Sequence, residues 1–390
     1  GLSVELPCVP AMDVSSSLSP LIPLKSVVGP LPRHGAPAAP KRQQSSRISR
    51  AMVAMMASAA RTRRRPVMRG DVSLLREVPG SIPRPPYLAP GQPRQPSDGL
   101  PIHPFYSGPE PTQEERFDIE VKDEKEIEGM RAACRLARQT LEVAGRAVAP
   151  GVTTDEIDRQ AHDFIVANGA YPSPLEYCGF PKAVCTSVNE VVGHGIPDSR
   201  PLEDGDFLNI DVTVYLNGYH GDTSCMFFAG RPLKRAVALC KATRKAMLAG
   251  IQVCGPGVDF REVGKAITQS ATEAGCTVHP TLIGHGIGSY FHGRPEILPY
   301  VNDVDQGVMK PGMTFTIEPV LVETPDRTCE VDAEDLWTLC TSTKALTAQF
   351  EHTILITDVG HEVLTGPCID YKAIKDEQVS SGRRKRRGFQ

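Results

Sequence analysis

The chain has 390 residues, 40% of them hydrophobic and 23% charged, a length that suits one large core with an appendage. Residues 1–65 hold ten Lys/Arg against two Asp/Glu and the remainder 33 against 44, so the body of the chain carries the wrong charge for a nucleic-acid binder. Eleven cysteines without a C-x-x-C pair argue against a zinc finger or a disulfide framework and suit reduced thiols, and no apolar run is long enough to cross a bilayer.

Residues 1–115 are rich in Pro, Ser, Ala and Arg, show no sustained helical or strand period, and are expected to be disordered and dispensable for catalysis. Their acid-poor first part, residues 1–65, has the composition of an organellar transit peptide, and residues 66–117 form a Pro-rich extension ahead of the folded body. From about residue 118 the pattern changes. In "DEKEIEGMRAACRLARQTLEVAGRAVAPG", Ile127, Met130, Cys134, Ala137, Leu141, Ala144 and Val148 recur every three or four positions, which predicts an amphipathic helix ended by Pro150-Gly151. Thr153 and Glu156 predict a capping box for a second helix running towards Gly169. Strands are predicted near 182–192, 206–216 and 219–229, helices near 234–249 and 259–274, and further strands near 278–284, 312–322 and 348–357. This is an α+β domain over 118–370. The closing "SGRRKRRGFQ", within a basic tail 371–390, reads as a solvated end, with a nuclear address or a ribosomal RNA contact as alternatives.

The stretch "NIDVTVYLNGYHGDTS" is two β-branched runs joined by Asn217-Gly218, the dipeptide of tight hairpins. A two-residue loop sets Asp211 opposite Ser224 and Thr213 opposite Asp222, so both aspartates fall on one face of the sheet. Like charges so placed need water, a shared proton or a cation. A faint repeat enlarges the group: "VVGHGIP…EDGDFLNIDVTV" and "LIGHGIG…KPGMTFTIEPVLV" match His194 with His285 and Asp211 with Glu318, and each acidic strand is followed by another that opens with an acid, Asp222 or Glu351. Two βα halves related by a pseudo-twofold axis would bring Asp211, Asp222, Glu318 and Glu351 together with His285. That set suits two divalent ions such as Mn, Fe, Co, Ni or Zn, bridged by carboxylates in a hydrolytic site.

From about 118 to 368 the chain resembles a type I methionine aminopeptidase. "YPSPLEYCGFPKAVCTSVNEVVGHGIPDSR", "NGYHGDTS", "GHGIGSYFHG", "FTIEP" and "AQFEHT" occur in family order and look most like the mitochondrial and plastid members, and residues 66–90 resemble the extension of plant organellar forms. The resemblance implies the pita-bread fold and metal ligands Asp211, Asp222, His285, Glu318 and Glu351. It implies that Asp222 and Glu351 bridge, that Glu318 also shuttles a proton, and that His194 and His292 serve the scissile nitrogen and the oxyanion. It gives the methionine pocket to Tyr177, Phe180, Cys185, Phe291 and Trp337, with His194 and His292 at its reacting end. The implied activity is removal of initiator methionine from nascent polypeptides by a monomer in a chloroplast or mitochondrion, near an organellar ribosome, without a nucleic-acid site or a membrane.

Glu176 and Cys178 stand where organellar relatives carry small residues, the link after Gly230 is short, and 325–345 departs from the family pattern around Trp337. Aminopeptidase P and prolidase share the fold but begin with a folded domain, unlike residues 1–115. Type II methionine aminopeptidases need a helical insertion that the 32 residues between Glu318 and Glu351 cannot hold. A ligand-free scaffold of the same fold would have lost these acids.

Overall fold

The computed structural model describes residues 68–88, 119–332 and 334–369. The expected transit segment 1–65, residues 66–67 and 89–117 of the expected extension, and the basic tail 371–390 lie outside these residues. Contacts divide the chain after residue 64, and every described residue belongs to the second unit.

Asp123 starts the first helix, α1 (Glu124–Ala147), with a full capping box: its carboxylate accepts from the Glu126 amide, and the Glu126 carboxylate accepts from the Asp123 amide. Met130, Cys134, Ala137, Leu141 and Ala144 are buried, as their spacing predicts. In α2 (Thr154–Ala167) the box is only half formed. Thr153 accepts from the Glu156 amide at 3.1 Å, but the Glu156 carboxylate turns to Arg159 and Gln160 instead of reaching back.

The first-half strands are β1 (Tyr171–Pro172), β2 (Cys185–Val188), β3 (Val191–Gly193), β4 (Phe207–Leu216) and β5 (Tyr219–Phe228). Helices α3 (Lys234–Gln252) and α4 (Arg261–Glu273) follow, α3 starting at Leu233 without a side-chain cap. The second half holds β6 (Thr277–Val278), β7 (Gly284–Gly286), β8 (Gly293–Ile297), β9 (Thr314–Ile317) and β10 (Val320–Val322). It closes with β11 (Cys329–Val331), β12 (Leu339–Thr341), β13 (Thr347–Gln349), β14 (Glu351–Thr357) and β15 (Gly360–Val363).

The predicted strand 312–322 is broken at Glu318-Pro319 and the predicted strand 348–357 at Phe350. Both breaks have one cause. β9 and β14 pair in the main sheet, whereas β10 and β13 pair in a second sheet with β6, so both chains change sheets at the same level. Pro319, which has no N–H to give a ladder, marks one corner.

The main sheet runs β2-β4-β5-β14-β9-β7, antiparallel at every pairing, with β1, β8 and β15 at its edges. The order reads alike from both sides of the β5–β14 seam: β4 and β9 flank it, so Asp211 on β4 and Glu318 at the end of β9, which the sequence repeat matches, take corresponding places. The hairpin register is the predicted one: Asp211 faces Ser224 and Thr213 faces Asp222. Asn217 (φ 53°) and Gly218 (φ 96°) both take the left-handed conformation such a turn needs. Helix α1 lies so close over β5 that a Cβ at Gly221 would stand 2.5 Å from the Ala133 carbonyl carbon. The sheet's helix-facing side and the four helices enclose the main core, around Leu141, Ile157, Phe207, Ile210, Val263 and Phe315.

Residues 68–88 depart from the expected disorder. Arg76 reaches Asp158 and Asp155 at 2.9 Å each, Gly70 donates its amide to Asp198, and Ser73 with buried Lys182 bonds to Asp155. Val78 and Ile82 are buried against Tyr171, Leu175 and Tyr215. This strap borrows its core from the folded body, which explains why it lacks a period of its own.

Candidate metal centre

Asp211 lies on β4, Asp222 on β5, His285 on β7, Glu318 at the end of β9, and Glu351 at the start of β14, so each half of the sheet contributes. Ligand atoms of Asp222, His285 and Glu351 lie within 4.8 Å of one another. Nε2 of His285 is 3.7 Å from Asp222 Oδ2 and 3.6 Å from Glu318 Oε1. Asp211 joins through its neighbour Asp222.

Burial, reinforced by the Asp211 charge, pushes the carboxyls of Asp222 and Glu318 well above the ordinary range. Burial and the Asp222 charge do the same to Glu351, and burial pushes Asp211 up to about 7. Among the described residues, the only basic partner within ion-pair reach of Asp222 or Glu318 is His285. Four acids, Asp222 and Glu351 buried and Asp211 and Glu318 largely so, with one imidazole make a stable site only if positive charge enters.

The individual orientations favour metal ligation. Nδ1 of His285 lies 3.1 Å from the Gly286 carbonyl, which can only accept, so Nδ1 carries the hydrogen and Nε2 turns its lone pair towards the carboxylates. Burial lowers this imidazole to about 4, keeping it neutral. Thr213 donates to Asp222 Oδ1 at 2.7 Å, Thr316 to Glu318 Oε1 at 2.8 Å, and Gln349 to Glu318 Oε2 at 3.2 Å, leaving other lone pairs free. Asp211 Oδ1 is buried without a hydrogen-bond partner. The residues therefore fit divalent metal ions: hard oxygen donors, one neutral imidazole and an orphaned carboxylate oxygen. Sequence reasoning missed the supporting Thr213, Thr316 and Gln349. The first was legible in the hairpin register, where it stands opposite Asp222.

The remaining candidates surround this centre. His292 lies 4.3 Å from the His285 ring, stacks on Phe291 at 4.0 Å, and has its Nδ1 3.0 Å from the Tyr177 hydroxyl. Tyr177 also packs on Phe291, with centroids 4.9 Å apart. On the other side Phe180, Cys185, Ile196 and Trp337 form one apolar cluster, with Cys178 and the strap residue Val72 against it. His194, in the left-handed conformation, sets its ring edge-on to Trp337; burial lowers it to about 4, and its Nδ1 is buried without a partner. Burial also holds the Cys185 thiol protonated. The departing segment 325–345 forms β11 and β12, of which β12 pairs with β3, and Trp337 just before β12 lies in the cluster. Glu176 is left-handed (φ 63°), and its carboxylate accepts from Arg84 and from the Tyr171 hydroxyl, each at 3.1 Å.

Comparison with known proteins places this geometry. Residues 128–358 match the model of metallopeptidase family M24. The chain is 49% identical over 296 residues, 76% of its length, to methionine aminopeptidase 1D, chloroplastic/mitochondrial, of Arabidopsis thaliana, and covers 78% of that protein. The crystal structure of methionine aminopeptidase from Rickettsia prowazekii superposes with a TM-score of 0.62 at 42% identity, covering 64% of this chain and all of that one. Prolidase from Pyrococcus furiosus, at 22% identity, a TM-score of 0.50, and coverage of 63% of this chain and 65% of that one, shares the fold. The chain belongs to the methionine aminopeptidases of metallopeptidase family M24.

Proposed function

We propose that this metallo-aminopeptidase removes initiator methionine from new polypeptides whose second residue is small, using two divalent ions. The observation that carries the reading is a buried set of four carboxylates and one neutral imidazole beside a pocket of aromatic rings and thiols. Asp222 and Glu351, neighbours across the β5–β14 seam, would be the ligands shared by the ions, with Asp211 on one side and His285 and Glu318 on the other. Bound divalent ions supply Lewis acidity towards the peptide carbonyl and make water a nucleophile near neutral pH.

The chain's own groups do the rest. Glu318, oriented by Thr316 and Gln349, takes a proton and passes it to the leaving amine. With the Tyr177 hydroxyl as donor to His292 Nδ1, 3.0 Å away, the Nε2–H of His292 would be left for the developing oxyanion. His194 addresses the scissile nitrogen. The apolar pocket of Tyr177, Phe180, Cys185, Phe291 and Trp337 takes the methionine side chain, a contribution of about 1.5–3 kcal/mol over a small residue.

The domain reading follows the same logic. Residues 1–65 act as the transit segment for a plastid or mitochondrion, 66–117 as an extension, 118–370 as the catalytic body and 371–390 as a solvated basic tail. The partners are nascent N-termini at an organellar ribosome, and the protein works as a monomer without nucleic acid or membrane.

The test is turnover of Met-Ala-Ser, Leu-Ala-Ser and Met-Glu-Ser by chelated protein after adding back Mn, Fe, Co, Ni or Zn singly. Met-Ala-Ser is expected to exceed the others in kcat/KM by roughly ten- to hundredfold. Equal values for all three, or no methionine released with any metal, would overturn the proposal. Metal titration with activity saturating at one ion per chain would overturn the two-ion assignment.

A further inference from the structure

We propose that the strap, residues 68–88, forms the outer wall of the methionine pocket, with Tyr87 and Arg84 as positioning residues. The inference rests on the aminopeptidase reading and adds a specificity element upstream of the family domain. Tyr87 donates its hydroxyl to the Ser173 carbonyl at 2.6 Å, and the Ser173 hydroxyl lies 2.8 Å from His220 Nδ1. The Tyr87 ring then meets two others: Tyr177 edge-on at 5.0 Å and His220 in a near-parallel stack at 6.0 Å.

Both neighbours converge on one ring. Tyr177 packs against Phe291 at 4.9 Å, and His220 stacks on Phe291 at 5.4 Å with planes 7° apart. Tyr87, Tyr177, Phe291 and His220 therefore close a circuit of four rings. Its inner members carry the methionine-facing surface and, through the Tyr177 hydroxyl, hold His292. Removing the Tyr87 ring opens the circuit on its outer side and frees Tyr177 to rotate. Val72 does the equivalent for the opposite wall by packing against the cluster of Phe180, Cys185, Ile196 and Trp337.

Arg84 acts on charge. Glu176 directly precedes Tyr177, and its carboxylate is held by Arg84 at 3.1 Å while the guanidinium lies 5.4 Å over the Tyr171 ring. An acid that the sequence places at the rim of an apolar pocket is thus neutralised by the strap. Without Arg84 it would keep the Tyr171 hydroxyl but lose its countercharge, an unpaired anion one residue from Tyr177. The strap's anchorage is elsewhere, at Arg76, Asp155, Asp158 and Lys182. Pocket contacts can therefore be removed without undocking it.

The experiment uses the full chain, metal-loaded, with Met-Ala-Ser as substrate and metal content and melting temperature measured in parallel. Tyr87→Ala is expected to raise KM by about five- to tenfold with less change in kcat and full metal content, while Tyr87→Phe, which keeps the ring, stays within about twofold of wild type. A wild-type KM in Tyr87→Ala, or equal impairment in Tyr87→Phe, would overturn the proposal. If Tyr87→Ala does not fold, Arg84→Ala decides, since that pair is partly exposed. KM is expected to rise about threefold in Arg84→Ala and to return to the wild-type value when Glu176→Gln is added. No rise, or no rescue, would overturn it. A wild-type protein that releases no methionine defeats the underlying reading, and this inference falls with it.

Discussion

Asp222 shows how much a single side chain carries. It accepts from Thr213, faces His285 and stands beside Asp211, so its removal takes away the ligand proposed to be shared and leaves the other acids unbalanced. Asp222→Ala and Glu351→Ala are each expected to abolish turnover and to lose bound metal by elemental analysis; full loading with normal activity would contradict the shared-ligand role. His194→Ala should keep its metal and lose mainly kcat, because the role proposed for it is at the transition state. A change confined to KM would count against that role. Asp206 offers a pH test away from the centre. Burial pushes its carboxyl up, but Asn189, the Glu203 amide and Arg200 outweigh this and hold it below the ordinary value of 3.8. A folded-state pKa below the unfolded one gives stability that is present above the unfolded value and lost as pH falls through the folded one. The melting-temperature gap between wild type and Asp206→Asn should therefore be widest above about pH 5 and narrow below about pH 4. A gap constant down to about pH 3 would remove Asp206 from the acid response.

At the scale of elements, legibility depended on whether the information was local. The β4–β5 hairpin could be read to the residue because Asn217-Gly218 fixes the loop and period two fixes the faces. The first helix could be read for the same kind of reason, and Asp123→Ala is expected to cost about 1 kcal/mol in denaturant unfolding, since it removes the cap. The ends of β9 and β14 could not be read, because the exchange of partners at Glu318-Pro319 and Phe350 depends on two strands far apart in sequence. The strap was missed for a related reason. Val72, Val78, Ile82 and Tyr87 obey no period, and Arg76 finds Asp158 across 82 positions. Deleting residues 1–65 should leave kcat/KM unchanged. Deleting 1–88 should raise KM and lower the melting temperature, because it exposes Tyr171 and leaves buried Asp158 without its guanidinium. An unchanged enzyme after the longer deletion would return the strap to the status of a tail.

For the molecule as a whole, the centre is also an electrostatic liability that the folded chain carries when stripped of metal. Chelation is expected to lower the melting temperature by several degrees, and any divalent ion that restores activity should restore it. A melting temperature indifferent to chelation would mean that the four acids are protonated rather than metal-bound. Within the main sheet the two halves pair along a short line, while β12 joins β3 elsewhere. Within the first half, β4 and β5 pair from Phe207↔Phe228 to Leu216↔Tyr219, whereas β5 and β14 pair only at Glu351↔Ser224 and His352↔Thr223. Thr223 donating to the Glu351 carbonyl and Thr353 donating to the Asp222 carbonyl add two stitches to that short seam. Asp222 and Glu351 sit on opposite sides of it, so an ion shared between them would work as a rivet through the joint. The rate at which that seam opens locally would then depend on how long the ion stays. Amide exchange at Thr223 and His352 should slow on metal loading far more than exchange in the middle of the hairpin, making catalysis and durability two readings of one occupancy.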